Sequence, residues 1–304
     1  MKQSEKRIDF HVHSLVSDGS YTPAGLAKLA RERGLSGFAL TDHDNIAGDA
    51  EAAAAAQQEG IDFIPGMELT VEFENRKLHI VCLGFDAAQP DFQSLYRRMR
   101  ATKEAKIAEI IQYIAQKGID ISLEKVQPFA YGRPIDRYAI MRYLVSLHLY
   151  DHAQPLWDNY LDPAVRLLDL EVNITAEEAL PIIHKGGGVT SLAHFHKNIG
   201  LKGLSRLEQE AAILRLHQLG LDGMERWYPN YTAEDAAFAG YMIEKYELLP
   251  TGGTDFHGSN RPEIELGTGL HDNIAIPYAY LEGVRAACKK NFELEKEKQA
   301  GRAN

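Results

Sequence analysis

The sequence predicts an α/β fold built around a largely parallel sheet, and three observations support this prediction. Short apolar or β-branched runs alternate with helical patterns along most of the 304 residues, as in consecutive βα units. A hydrophobic content of 45% allows the chain to bury a core the size of a barrel domain. The alternation stops between residues 91 and 173, where several helical stretches follow one another. We therefore expect residues 1–90 and 174–304 to form the α/β domain and residues 91–173 to form a helical insert.

The first βα unit consists of a strand, a loop and a capped helix. The strand is predicted in RIDFHVH; Thr22 and Pro23 then suit the N-cap and first position of a helix that ends before Gly34. A second strand, GFALTDHD, precedes the stretch GDAEAAAAAQQEG, which we interpret as a tightly packed helix. Thr175 and Glu178 form a capping-box pattern before a later helix. Five further strands are predicted in FIPGMEL, KLHIVCLGF, GGVTSLAHF, LDGMERWY and ELLPTGGTDF.

Charge and cysteine content limit the possible partners and compartments. The formal net charge of −10 argues against non-specific binding of duplex DNA through lysine and arginine. The two cysteines, Cys82 and Cys288, have no metal-binding or redox spacing, which favours free thiols in a reducing cytoplasm. The charged start MKQSEKRIDF lacks the apolar core of a signal peptide, and no later run reaches the length of a membrane span. We expect a soluble, cytoplasmic protein.

The motif DFHVH near the N-terminus, followed by Asp18, indicates a metal site. Residues two apart on a strand point to the same side, so His11 and His13 share one face while Phe10 and Val12 share the other. In an α/β barrel the apolar pair would pack against the helices and both imidazoles would point inward, near the strand's C-terminal end. A histidine pair alone is more often a hydrogen-bonded core feature. Buried imidazoles nevertheless need a partner for each nitrogen, and a metal ion is the simplest one.

Further residues of metal-binding type lie at or near the C-terminal ends of predicted strands: His43, Glu68, His79, His194, Asp255 and His257. Because strand ends in a barrel meet at one rim, we expect them to surround a single cavity together with His11, His13 and Asp18. The remaining histidines outside these motifs fall in helical or loop stretches, and we interpret them as surface or satisfied core residues: His148, His152, His184, His217 and His271.

The sequence resembles the polymerase-and-histidinol-phosphatase (PHP) family in six motifs that occur in the same order: HVHSLVSDGSYTP, ALTDHDNIAG, GMELT, LHIVCLG, LAH and GTDFHG. The resemblance extends from Ile8 to Gly269. The SDG at Ser17 and the TDHD at Thr41 resemble its stand-alone bacterial branch of nucleoside 3′,5′-bisphosphate phosphatases and 5′-to-3′ exoribonucleases of the ribonuclease AM type. The resemblance implies a distorted, TIM-like (β/α)7 barrel.

The resemblance also implies two or three divalent ions and assigns their ligands. One ion would be held by His11, His13, Glu68 and Asp255, a second by Glu68, His79 and His194, and a third by Asp18, His43 and His257. Imidazole and carboxylate ligands without thiolate suit Mn²⁺, Fe²⁺ or Zn²⁺ rather than calcium. The three carboxylates contribute a charge of −3, and two or three divalent ions contribute +4 or +6. The site would therefore have a net charge of about +1 to +3, which attracts phosphate. The nucleophile would be a metal-bound hydroxide held by Glu68, Asp255, His11 and His13.

Substrate-binding candidates are Arg133, His196, Lys197, Tyr228 and Tyr231. Arg133 resembles the arginine of the family's Gly-Arg-Pro segment, which clasps a phosphate; the alternative is a solvated arginine before a helix. His196 and Lys197 follow His194 closely and would contact phosphate or protonate the leaving group, unless they form a polar loop at the rim. The two tyrosines would stack on a base or pack in the core. Phe195, Ile135 and Tyr231 depart from the residues common in the family.

Three functions remain open at this point. The first is a metal-dependent phosphoesterase acting on nucleoside 3′,5′-bisphosphates, AMP-like nucleotides or the 5′ ends of short RNA. The second is a phosphatase of a small metabolite such as histidinol phosphate, although the long insert with its arginines and aromatics favours a larger substrate. The third is a non-catalytic metal-bound module. Such a module would be expected to have lost metal ligands, whereas all nine ligand positions are filled here. We expect a small phosphorylated substrate as the partner, with neither duplex DNA nor a membrane.

Overall fold

The computed structural model describes residues 6–302, apart from 106, 133, 151, 153 and 168–173. The chain divides into two compact units. The first comprises Met1–Gln93 and Ile174–Asn304, and the second comprises Ser94–Asn173. Among the described residues, all strands belong to the first unit, which therefore carries the α/β architecture.

The first unit contains one seven-stranded sheet in which the strands follow chain order. Its members are β1 Ile8–Asp9, β2 Gly37–Leu40, β3 Asp62–Phe73, β4 Arg76–Leu83, β5 Val189–Leu192, β6 Gly223–Trp227 and β7 Leu249–Gly252. Four of the pairings are parallel, and the two made by β4 are antiparallel. A separate antiparallel pair, β8 Ile264–Glu265 and β9 Gly269–Leu270, follows. The predicted α/β class and each of the seven predicted strand positions are confirmed.

The antiparallel course of β4 changes how two of the predicted site residues are placed. Glu68 does not end its strand, because β3 continues to Phe73 and pairs with β4 from Gly66 onward. His79 lies in the first half of β4, opposite Thr70. The prediction that both lie near the C-terminal ends of their strands is therefore wrong. His79 reaches the same edge as the other candidates because an antiparallel strand brings its beginning to the edge where its parallel neighbours end.

The segments that follow β1 and β7 are joined by backbone hydrogen bonds. Phe10 N donates to Gly252 O at 3.1 Å, Asp255 N to His11 O at 2.9 Å, and His13 N to Phe256 O at 3.0 Å. The approach is so close that a Cβ on Gly253 would lie 2.0 Å from His11 Cβ. The first and last strands of the sheet thus hold the two DFH segments side by side.

The helices are α1 Pro23–Glu32, α2 Asp49–Glu59, α3 Pro90–Ala105, α4 Ile107–Gln116, α5 Leu123–Val126, α6 Arg137–Ser146, α7 Gln154–Leu156, α8 Asp162–Leu167, α9 Ala176–Lys185, α10 Arg206–Leu219, α11 Ala233–Tyr246 and α12 Ala279–Arg302. The predicted cap of α1 is confirmed, since Thr22 Oγ1 accepts from Gly25 N at 3.0 Å. Thr175 likewise caps α9. Within the described residues, no helix combines the length and apolar character needed to cross a bilayer.

Phe10 and Val12 pack into two different apolar clusters on the side of the sheet that faces the helices. Phe10 packs in a cluster with Leu281 and Val284 of α12, and Val12 packs in another with residues of α1 and α2. The predicted alternation of the DFHVH segment is therefore present, although only Ile8–Asp9 is a regular strand. The second unit has its own core, whose buried residues lie between Ile107 and Ala164. Both cysteines are free thiols, as predicted.

Candidate metal centre

The nine predicted ligands of the first unit converge at the edge where the parallel strands end. Potential ligand atoms lie within 4.8 Å of one another in three overlapping groups. The groups are His11, His13, Glu68 and Asp255; His13, Asp18, His43 and His257; and His43, Glu68 and His79. His194 lies beside two members of the last group, with its Nε2 2.9 Å from Glu68 Oε1 and 3.3 Å from His79 Nδ1. The structure thus brings the residues of the predicted ligand sets together. His13 and His43 each belong to two of the three groups found in the structure.

Glu68 lies at the centre of the cluster and is completely buried. Its Oε2 faces His43 Nδ1 at 2.9 Å, and it faces the Nε2 atoms of His11 and His13 at 3.2 and 3.3 Å. Its Oε1 faces His79 Nδ1 at 2.8 Å and His194 Nε2 at 2.9 Å. A carboxylate whose two oxygens face different sets of imidazoles has the arrangement of a ligand that bridges two cations.

Asp18 and Asp255 lie on two other sides of the cluster. His257 Nε2 is 3.2 Å from Asp18 Oδ1, and His43 Nε2 is 3.6 Å from Asp18 Oδ2. His13 Nε2 lies 3.1 Å from Asp255 Oδ1. Asp18 is partly exposed whereas Asp255 is buried, so the cluster opens to solvent on the Asp18 side.

Several buried atoms of the cluster lack hydrogen-bond partners, which tests whether metal ions fit. Among the described residues these atoms are His11 Nε2, His13 Nε2, Asp18 Oδ1, Glu68 Oε2, His194 Nδ1 and His257 Nε2. Leaving buried polar atoms unpaired costs about 1–3 kcal/mol each. The atoms are lone-pair donors of the nitrogen and oxygen types that bind first-row divalent ions. The residues present therefore fit such ions.

The electrostatics of the cluster also favour the binding of cations. Burial would raise the pKa of Glu68, but the imidazoles of His79 and His11 hold it well below its usual range. Burial would lower the pKa of His13, yet Asp255 and Glu68 raise it to about 9. Glu68 is therefore ionised and, with Asp255, favours a proton on His13, whereas burial lowers the pKa of His194 to about 3 and that of His257 to about 4. Divalent cations supply positive charge without protons.

Comparison with known proteins decides the family. The sequence profile of the PHP domain matches residues 9–144. A 5′-3′ exoribonuclease from Haemophilus influenzae is 30% identical over 253 residues, which cover 83% of this chain and 90% of that protein. The chain belongs to the PHP domain family. A 3′,5′-nucleoside bisphosphate phosphatase from Chromobacterium violaceum is 28% identical to this PHP protein, with 86% of this chain and 90% of the relative covered.

A solved structure supports the same assignment. An amidohydrolase from Chromobacterium violaceum, with bound sulfate and no metal, has a TM-score of 0.76 and 27% identity to this PHP protein, and 92% and 96% of the two chains are covered. The curated relatives are named as a phosphatase and an exoribonuclease, so this PHP protein is an enzyme of the phosphoesterase class. Its cluster of histidine, aspartate and glutamate is suited to binding metal ions.

Glu225 accepts hydrogen bonds from two of the candidate metal ligands, and the sequence did not reveal this role. Its Oε1 accepts a hydrogen bond from His11 Nδ1 at 2.7 Å, and its Oε2 accepts from the backbone N–H of His194 at 2.6 Å. The side chain is buried at the middle of β6. A rule based on strand ends therefore did not identify it. A single carboxylate thus orients two of the candidate ligands.

Asp255 Oδ2 receives three donors on the side away from the imidazoles. Lys197 Nζ lies 3.0 Å away, and Tyr228 Oη and Arg261 Nη1 each lie 2.6 Å away. Lys197 and Tyr228 were predicted as substrate residues, whereas Arg261 was missed. Burial would raise the pKa of Asp255, but Arg261 and Lys197 hold it well below its usual range. The PHP site therefore has two permanent cations beside one of its acids.

The other predicted substrate residues have different environments. Tyr228 is 3% exposed and its hydroxyl donates to Asp255, which favours the packing role over stacking on a base. Tyr231 Oη donates to Glu225 O at 3.1 Å, and the rings of His196 and Tyr231 lie 5.1 Å apart. Arg133 lies outside the described residues. His184 and His217 are paired with Asp222 and with a backbone carbonyl, in line with their interpretation as satisfied residues.

Proposed function

We propose that this PHP enzyme hydrolyses phosphate monoesters of nucleotides: nucleoside 3′,5′-bisphosphates, AMP-like nucleotides or the 5′ ends of short RNA. The observation that supports this most is the convergence of five imidazoles on Glu68, with buried atoms that lack partners. Such a cluster collects cations, and the cations attract phosphate. The names of the two curated relatives, a 5′-3′ exoribonuclease and a 3′,5′-nucleoside bisphosphate phosphatase, favour a nucleotide over a smaller metabolite.

Two or three divalent ions, Mn²⁺, Fe²⁺ or Zn²⁺, are the proposed cofactors. Their proposed ligands are His11, His13, Asp18, His43, Glu68, His79, His194, Asp255 and His257. When bound, such ions supply a water of lowered pKa as nucleophile and neutralise the charge that develops on the phosphoryl oxygens. The chain itself holds the ligand atoms in place, through Glu68 at the centre and Glu225 behind His11 and His194.

The proposed substrate contacts are polar groups at the rim of the cluster. Lys197 has a permanent charge beside Asp255, and 29% of its side chain is exposed, so it is available to a phosphate group. His196 lies next to it, and burial lowers the pKa of its imidazole, so at neutral pH the ring is uncharged and would contact the substrate as a neutral imidazole. Tyr231 and Arg133 remain proposed substrate residues from the sequence.

The sheet is proposed to close as a distorted seven-stranded barrel, and the backbone hydrogen bonds between the segments after β1 and β7 support this. Residues 1–90 and 174–304 are proposed to form the catalytic PHP domain. Residues 91–173 are proposed to form an insert that covers the active site. Two free thiols support residence in a reducing cytoplasm.

The substrate class can be tested by phosphate release. The purified protein, loaded with Mn²⁺, is incubated with adenosine 3′,5′-bisphosphate, AMP and histidinol phosphate. We expect hydrolysis of one or both nucleotides at a higher kcat/KM than histidinol phosphate. A 5′-phosphorylated oligoribonucleotide in the same buffer separates mononucleotide hydrolysis from stepwise release of nucleotides from the 5′ end.

The variant Asp255→Asn is the control for contaminating phosphatases, because it removes the charge of a proposed metal ligand without a large change in volume. We expect it to abolish release from every substrate. Inactivity of the wild-type protein on all substrates with its metal content intact would refute the proposal. A clear preference for histidinol phosphate would reassign the enzyme to small metabolites.

A further inference from the structure

Arg261 lies beside the cluster of candidate metal ligands, and no role has been assigned to it. It follows β7 by nine residues, directly after the short 3-10 turn Gly258–Asn260, and its backbone N–H donates to Gly258 O at 3.0 Å. The turn directs the side chain back toward Asp255, whose Oδ2 lies 2.6 Å from Arg261 Nη1. The side chain remains 37% exposed, so the guanidinium contacts both a buried acid and solvent.

The charges around Asp255 do not balance. Its Oδ1 faces the imidazoles of the cluster, at 3.1 Å from His13 Nε2 and 3.5 Å from His11 Nε2. Its Oδ2 is shared by Lys197 and Arg261, and it also accepts from the hydroxyl of Tyr228. One carboxylate therefore faces two permanent cations in addition to the ions that the cluster is suited to hold. The excess positive charge at this point is complementary to an anion.

Both cations keep donors available. Within the part of the chain that the structure describes, Nε and Nη2 of Arg261 have no hydrogen-bond partner, and 29% of the Lys197 side chain is exposed. A guanidinium presents its donors as a planar fork that matches two oxygens of a phosphate group, whereas a lysine contributes a point charge. The pair therefore offers several charged donors beside a cluster that attracts phosphate.

We propose that Arg261 and Lys197 form a phosphate-binding pair that holds the phosphate group to be hydrolysed, next to the Oδ2 side of Asp255. This assignment rests on the proposed function only in requiring a phosphoester substrate. The competing role for Arg261 is purely positional: it would orient Asp255 and leave the substrate untouched. The two roles differ in what a substitution changes, because a positioning residue acts on metal affinity and a phosphate-binding residue acts on phosphate affinity.

The test uses inorganic phosphate as the probe and the variants Arg261→Met and Arg261→Lys. Each protein is reconstituted with Mn²⁺, its metal content is measured by mass spectrometry, and phosphate binding is measured by calorimetry. We expect Arg261→Met to retain its metal and to bind phosphate about tenfold more weakly or worse. Arg261→Lys keeps the charge but loses the fork, so its affinity should be intermediate. Phosphate inhibition of hydrolysis should weaken in the same order.

The matched control is Arg33→Met. Arg33 also pairs with a single carboxylate, Glu265 at 2.6 Å, and is 47% exposed, but it lies outside the cluster. We expect its metal content and phosphate affinity to equal those of the wild type. Unchanged phosphate affinity in metal-replete Arg261→Met would overturn the proposal, whether or not its metal affinity falls. Failure of nucleotides as substrates would refute the proposed function but would leave an Arg261-dependent phosphate affinity standing.

Discussion

At the scale of single residues, the cluster depends on the candidate ligands and also on a carboxylate that is hydrogen-bonded to two of them. Glu225 accepts from His11 Nδ1 through one oxygen and from the His194 amide through the other. A neutral imidazole that donates from Nδ1 presents the lone pair of Nε2, as a metal ligand must, and His11 Nε2 is the atom that faces Glu68 and Asp255. Glu225 therefore fixes both the position and the tautomer of His11.

Replacing Glu225 with glutamine tests this arrangement. The amide NH₂ cannot accept a hydrogen bond, so either His11 Nδ1 or the His194 N–H would face a donor in a buried site. We expect Glu225→Gln to lower metal affinity by about 10- to 100-fold, since loss of such a supporting carboxylate has effects of this size. The measurement is metal retained after dialysis against a graded series of chelator concentrations.

The control is Glu293→Gln on α12, where the side chain is 61% exposed and forms a weak surface pair, at 3.9 Å, with Lys289 one helical turn away. It should retain as much metal as the wild type. If Glu225→Gln behaves like this control, Glu225 has no part in holding the ligands.

The rule that parallel strands end at one edge predicted that the candidate ligands meet, although Glu68 and His79 lie away from the C-terminal ends of their strands. Two further residues of the site, Glu225 and Arg261, were missed. Glu225 is the middle residue of β6, so a rule based on strand ends does not reach it. Arg261 could not be predicted either, because a single arginine in a loop has no periodicity or spacing that separates it from a solvated one. Its role depends on the turn Gly258–Asn260, which brings the guanidinium back to Asp255.

At the scale of the elements, the strands could be predicted from their apolar pattern, but the direction of β4 does not follow from it. The pattern of a strand is the same when read in either direction. One signal was nevertheless present, because the predicted strands FIPGMEL and KLHIVCLGF are separated by residues 70–76 only. That segment is too short for the crossover that parallel strands require. The structure joins β3 and β4 through Glu74 and Asn75, both at positive φ, as in a two-residue hairpin turn.

The close approach of the segments after β1 and β7 gives a prediction about Gly253. A Cβ at this position would lie 2.0 Å from His11 Cβ and 2.6 Å from His11 N, and backbone atoms cannot move aside as a flexible side chain would. We expect Gly253→Ala to destabilise the protein by about 2 kcal/mol or more and to weaken metal binding, because the strain acts on His11 directly. Urea unfolding and metal content measure the two effects.

Gly283→Ala on α12 is the matched substitution, since its new Cβ meets only Leu249 Cδ1, at 3.3 Å. A glycine replaced by alanine within a helix gains about 1 kcal/mol, so this variant should equal or exceed the wild type in stability. Equal stability of the two alanine variants would show that the segments after β1 and β7 are not packed as closely as described.

At the scale of the whole molecule, two units with separate cores contain one tryptophan each. Trp227 ends β6 in the first unit, and Trp157 lies in the second unit, where the guanidinium of Arg137 is 5.5 Å from its ring. The chain has no other tryptophan. The variants Trp157→Phe and Trp227→Phe therefore give fluorescence signals that report on the first and the second unit respectively.

All nine proposed ligands belong to the first unit, so metal removal should destabilise that unit alone. A metal present at about a hundredfold its dissociation constant stabilises the folded state by about 2.7 kcal/mol. We expect a chelator to lower the urea midpoint reported by Trp227, in Trp157→Phe, by the equivalent of that free energy, and to leave the midpoint reported by Trp157, in Trp227→Phe, unchanged. Equal shifts of both signals would mean that the two units unfold as one cooperative body, because the metal then stabilises residues that do not contact it.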